Sequence, residues 1–175
     1  GCTDLLYGMV TGKSWVLVPE TVKFNLVGKL PEGVYARDLI LTIIGTIGAN
    51  GCNYQVMEFT GEGAKTLSIS ERMVLCNMAV EAGAKTGIFE PDEKAIEYLE
   101  AHGRKPKALF KSDPDAVYAR EYTFDLSKIR PVVAKPDFVD NLVPAEEVRG
   151  VKIDEAFLGS CNNGRIEDLR VGASI

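Results

Sequence analysis

"ARDLILTIIGTIGANGCNYQVMEFTG", residues 36–61, is the stretch whose reading decides the fold. Leu39, Ile40, Ile43, Ile44 and Ile47 recur at helical spacing, and Gly48 and Gly51 end the run. Residues 54–61 (YQVMEFTG) then read as a strand closed by Gly61 and Gly63. Upstream, 15–28 (WVLVPETVKFNLVG) is rich in β-branched residues and predicts one or two strands, with Pro31 and Gly33 marking the turn that follows. Downstream, Ser68 and Glu71 have capping-box spacing, so a helix is expected from there to about Ala82, where Gly83 stops it. A short buried strand at 86–90 and an exposed helix from Pro91 and Asp92 to Gly103 complete an alternation that argues for an α/β fold.

Beyond residue 103 the pattern loosens. Residues 103–116 are polar and proline-containing and read as a surface connection, and 117–126 (VYAREYTFDL) as a half-buried strand. In 127–150, short apolar islands lie between prolines, which suggests an extended crossing segment at a boundary between domains. Residues 152–160 (KIDEAFLGS) are expected to end in a strand, and 164–174 (GRIEDLRVGAS) to begin a helix.

A chain of 175 residues suffices for one large or two small domains, and 46% hydrophobic with 26% charged residues is ordinary for a globular protein. The net charge of -5, without a Lys/Arg block, argues against nucleic acid as partner. No apolar stretch is long enough for a membrane span, and no secretory signal opens the sequence. Gly1 stands where a start methionine would, so the chain is expected to begin inside a longer protein. Cys2, Cys52, Cys76 and Cys161 are widely spaced without a C-x-x-C, which fits a reducing, cytoplasmic setting better than a disulfide or zinc framework.

Two places invite chemistry. On a helical wheel, Ser70, Asn77 and Glu81 form one polar stripe on a segment otherwise apolar nearly all round. The stripe reads as a structural hydrogen-bond network, a small exposed edge, or the lining of an active site. Cys161 sits where an apolar run meets a helix start, among Gly159, Ser160, Asn162, Asn163 and Gly164. It reads as a buried filler, a nucleophile or a metal ligand, since backbone N–H groups there favour a thiolate. The single histidine, His102, ends an amphipathic helix and reads as solvated, which weakens a cysteine-hydrolase reading. The glycine clusters at 45–51 and 60–63 match no phosphate loop and read as turns and helix ends.

Two segments carry a more specific resemblance. Residues 68–93 (SISERMVLCNMAVEAGAKTGIFEPDE) and 159–170 (GSCNNGRIEDLR) resemble the aconitase superfamily, in particular the large subunits of 3-isopropylmalate dehydratase and homoaconitate hydratase. The family patterns are close to M-x-x-C-N-M-x-x-E-x-G-A and G-S-C-T-N-G-R. Residues 1–41 are similar to the family stretch that precedes them, so the likeness spans essentially the whole chain. Asn162 departs from the usual Thr, which leaves a small polar residue in place.

The resemblance implies aconitase-like three-layer α/β/α domains, present in part. Residues 1–115 would be one such domain lacking its N-terminal part, and 116–175 the start of the next. It implies a hydro-lyase that isomerises 2-isopropylmalate, or alternatively hydrates homoaconitate, by dehydration and rehydration of a hydroxy acid. The cofactor implied is a [4Fe–4S] cluster held by three cysteines, with a small subunit as partner. Cys161 matches one ligand, Asn77 and Glu81 match active-site residues, and Asn163 is a weaker match near the cluster. The two other cluster cysteines and further site motifs are not in this sequence. The isolated chain is therefore expected to be inactive and without a cluster, and reads alternatively as a non-catalytic folded module.

Overall fold

The computed structural model describes residues 2–175. Four parallel strands form the central sheet: β1 (Thr21–Val27), β2 (Val56–Thr60), β3 (Thr86–Phe89) and β4 (Arg120–Asp125). Their order is β3-β2-β1-β4. Alternation along β1 puts Val22, Phe24 and Leu26 on one face. Register places Met57 beside Val22, Phe59 beside Phe24 and Tyr122 on the other side of Phe24, so that face is apolar apart from Arg120 beside Val22 at the sheet edge. Its rings stack in series, Phe24 on Tyr122 at 5.5 Å and Phe59 on Phe89 at 5.0 Å between centroids.

Five helices precede β4: α1 (Cys2–Thr11), α2 (Ala36–Ile47), α3 (Glu62–Thr66), α4 (Ile69–Met78) and α5 (Glu93–Ala101). Of these, α2 and α4 close this face, whereas α1 buries no residue. In α2, Leu39, Ile40, Ile43 and Ile44 are fully buried in the core that also holds β1 and β2. Full burial of each such side chain contributes about 1.5–3 kcal/mol. The predicted capping box starts α4: Glu71 N donates to Ser68 Oγ (3.2 Å) and Ser68 N donates to Glu71 Oε2 (2.7 Å). After Met78 the helix tightens into a 3-10 turn, Ala79–Ala82, and Gly83 (φ 76°) ends it as expected.

Close approach of α4 to β3 requires glycine at 87. A Cβ there would stand 2.8 Å from the Cys76 Cα. Arg72, also on α4, is buried, and its guanidinium donates to both Asp92 oxygens (2.9 and 2.6 Å). Asp92 accepts from Ala95 N at the start of α5 (3.2 Å), so one carboxylate joins two helices. The Arg72 hydrogen bonds hold its carboxyl below the usual carboxylate range, against partial burial.

The path from β3 back across the sheet to β4 reverses direction, so a right-handed crossover places it on the opposite, polar face. Residues 103–119 do this as an irregular strap. Ser112 Oγ and Tyr118 OH donate to Glu58 of β2 (2.9 and 3.0 Å), and Lys23 of β1 lies 4.8 Å above the Tyr118 ring. The molecule is a parallel sheet flanked by helices, an α/β fold.

The structure refines several expectations. Only 21–27 of the 15–28 stretch is a strand; Trp15 and Val18 are exposed. β4 follows residue 115 in the chain, yet it pairs with β1, so one sheet runs across the expected division at 115/116. Residues 127–150 are not simply extended. They form an antiparallel hairpin, β5 (Val132–Ala134) and β6 (Leu142–Pro144), packed on α2. Asp38 of α2 accepts from Val132 N (3.0 Å), and Leu142 lies against Gly45, where a Cβ would collide with it. No strand forms at 151–159, because no sheet edge lies beside it to take its N–H and C=O groups. The expected C-terminal helix is α7 (Ile166–Ala173), preceded by a single turn, α6 (Ser160–Asn163). Among the described residues, no helix is long and apolar enough to cross a membrane.

Gly87→Ala is expected to lower stability by about 1–3 kcal/mol, because α4 must shift off β3. Urea unfolding followed by circular dichroism reads this, and an unchanged midpoint would contradict the packing.

Candidate functional site

The two motif segments meet. α6 lies against α4, and the Cys161 thiol points at Asn77 Oδ1, 3.7 Å away. Between them Asn162 is buried and enters the side of α4, its amide nitrogen donating to Val74 O (3.3 Å) and towards Asn77 Oδ1 (3.5 Å). Asn163 Nδ2 donates to Asp168 Oδ1 (3.3 Å), and Asp168 accepts from Arg165 N (3.1 Å) at the start of α7. Arg165 reaches back to donate to Asn162 O (3.0 Å). The turn therefore has a buried asparagine on one side and an ion-supported helix start on the other.

Cys161 is exposed, so the buried-filler reading does not hold. It sits inside the four-residue α6 rather than ahead of a long helix, with Ser160 at φ 73°. A helix of one turn supplies little dipole, so hydrogen bonding rather than a macrodipole shapes its surroundings.

The polar stripe is only partly as expected. Asn77 and Glu81 are exposed and Ser70 is half-buried. Val80 is 66% exposed, so the segment is not buried all round. The wheel also assumed 3.6 residues per turn to Ala82, whereas the backbone tightens after Met78 and turns Glu81 away from that alignment. Asn77 is brought to Cys161; Glu81 has no hydrogen bond among the described residues and is not brought into contact with the thiol. The buried charge on this helix is Arg72, which the apolar pattern concealed.

The remaining cysteines lie apart from the turn. Cys52 is fully buried after α2, and burial, partly offset by Arg120, raises its thiol pKa. Cys76 faces β3, and burial pushes it up to about 11. Among the described residues, no three His, Cys, Asp or Glu side chains gather as a metal site. Cys161 has the chemistry of one thiolate ligand, and only one.

Arg37, in the first turn of α2, carries no sequence motif, and nothing in its spacing singles it out. Its Nη1 donates to Asn162 Oδ1 (3.0 Å) and to Asn163 Oδ1 (2.7 Å), across 125 residues of chain. A cleft of about 740 Å³ opens beside it, lined by Tyr35, Arg37, Gly159, Ser160, Asn163 and Asp168 among others. His102 is exposed at the end of α5, its ring against Tyr98, as expected for a solvated residue.

Comparison with known proteins places the chain in a family. Residues 1–150 match the model of the aconitase family (aconitate hydratase). The chain belongs to the aconitase family. Over all 175 residues it is 51% identical to the 3-isopropylmalate dehydratase large subunit of Hydrogenobaculum sp. (strain Y04AAS1), covering 41% of that protein. It is 49% identical to 3-isopropylmalate dehydratase large subunit 1 of Methanopyrus kandleri, covering 42%. To the 3-isopropylmalate dehydratase large subunit of Aquifex aeolicus it is 49% identical, covering 40%. The chain thus spans about two fifths of the length of these relatives within the family.

At pH 8, iodoacetamide is expected to label Cys2 and Cys161 quickly, and Cys52 and Cys76 only after unfolding. Raised thiol pKa values keep the buried Cys52 and the half-buried Cys76 protonated and unreactive. Peptide mass spectrometry reads the order; labelling of Cys76 as fast as Cys161 would refute the burial.

Proposed function

We propose that this chain is part of the large subunit of a 3-isopropylmalate dehydratase, a hydro-lyase that isomerises 2-isopropylmalate to 3-isopropylmalate by removing and re-adding water. The observation that carries the reading is the contact of Cys161 Sγ with Asn77 Oδ1, which joins two family segments 84 residues apart. The names of the relatives favour isopropylmalate over homocitrate as substrate. They also support a small subunit as partner, which the term large subunit implies.

Aconitase-family enzymes carry [4Fe–4S] clusters, and Cys161 would be one ligand: its exposed thiol, which here donates to Asn77 Oδ1, would give up that proton on binding a cluster. The other ligands would come from sequence outside this chain. When bound, the cluster supplies Lewis-acid polarisation of a substrate hydroxyl or carboxylate. The chain's own residues orient and move protons around it. Asn77 keeps its amide nitrogen available to donate to a substrate oxygen. Glu81, an exposed carboxyl one turn further on, would exchange a proton with the departing or returning water. Asn163 would hold the ligand turn, its oxygen towards Arg37 and its nitrogen towards Asp168.

In the complete large subunit, Cys161→Ser is expected to remove nearly all visible absorbance of the cluster; an intact spectrum would overturn the ligand assignment. Glu81→Gln is expected to retain the cluster while lowering kcat about 10²-fold or more, as for loss of an acid–base group. Unchanged turnover in that variant would remove Glu81 from the reaction.

A further inference from the structure

We propose that Arg37 is a positioning residue that holds the Cys161 turn in the geometry a ligand needs. Its relevance to the cluster rests on the assignment of Cys161 above; its hold on the turn does not. The turn has little support of its own. α6 is one helical turn with no side-chain N-cap, and it starts at Ser160 in the left-handed region (φ 73°). A non-glycine residue there persists only when its surroundings hold it.

Those surroundings are two neighbouring asparagines whose oxygens face one cation. Arg37 Nη1 uses one nitrogen to reach both, at 3.0 and 2.7 Å. Hydrogen bonds with a charged donor are about twice as strong as neutral ones. The contact also selects the orientation of the buried Asn162 amide. With its oxygen towards Arg37, its nitrogen faces Val74 O and Asn77 Oδ1. A reversed amide would put nitrogen against nitrogen and oxygen against a carbonyl. Cys161 is adjacent to that amide, so its approach to Asn77 follows from it.

The anchor is firm. Ala36 and Leu39, on either side of Arg37, are buried in the core. Asp38 accepts from Tyr35 N (2.9 Å) at the helix start and from Val132 N (3.0 Å) in β5. Arg37 thus connects a helix buried in the core to a one-turn helix without a side-chain cap.

Hydrogen exchange on the 175-residue chain tests this directly. Arg37→Met, which keeps length and loses the donors, is expected to speed exchange of the 160–163 amides about tenfold, the scale of one lost charged hydrogen bond. The amides of 39–44 should not change. Arg37→Lys, whose ammonium can donate to both oxygens, should recover part of the protection. In the complete large subunit, Arg37→Met should also shorten the lifetime of the cluster absorbance under chelator several-fold. Unchanged exchange at 160–163, or acceleration shared equally by 39–44, overturns the proposal, as does a lysine variant no better than methionine. If Cys161→Ser keeps its cluster while Arg37→Met still loosens the turn, the ligand assignment fails and the positioning role stands.

Discussion

The rest of the molecule depends on how closely α4 lies on β3. At Gly87 there is no side chain, and the backbone of Cys76 occupies the space one would need. That contact presses one side of α4 into the sheet and leaves the opposite side, with Asn77 next in sequence, facing outward. The Arg72–Asp92 pair fixes the same helix along its length and ties it to α5. A buried guanidinium is costly unless paired, so this arrangement has few alternatives. Position and rotation of α4 are therefore set by packing, and the candidate site is built on the face that packing leaves open.

Onto that face comes a segment with little structure of its own. Residues 151–159 are irregular and exposed, and the turn that follows is held by side chains from three places: α4, α7 and Arg37 of α2. Asn162 is the residue that enters between them. It is the buried asparagine of the site, and its amide meets donors and acceptors on both sides. Its side chain thus supplies hydrogen bonds at a point where the turn lacks a cap.

Legibility in the sequence followed the range of the interactions. The capping box of Ser68 and Glu71, the glycine stop at 83, the Asp92 start of α5 and the helical spacing of 39–47 are contacts within a few residues, and each appears where the pattern put it. The failures involve distant partners. The apolar run before Cys161 has strand composition, but a strand exists only by pairing, and no edge is offered. The stripe of Ser70, Asn77 and Glu81 assumed a uniform helix, and the 3-10 turn after Met78 removed Glu81 from it. Arg72 is buried on α4 with Asp92, twenty residues further on, as its partner, and no local pattern marks that pairing.

The amino-acid sequence by itself determined the α/β alternation, the helix limits and the two family segments, because periodicity, caps and motif spacing are local properties. Tertiary structure alone decided that β4 joins β1 across the 115/116 position, that 127–150 folds as a hairpin on α2, and that Arg37 meets Asn162 and Asn163 across the chain. The physical reason is that these depend on which surfaces remain uncovered once the core has closed. A strand edge, a helix face or an unpaired amide oxygen acquires its partner from what packing brings near, and sequence spacing carries no record of that distance.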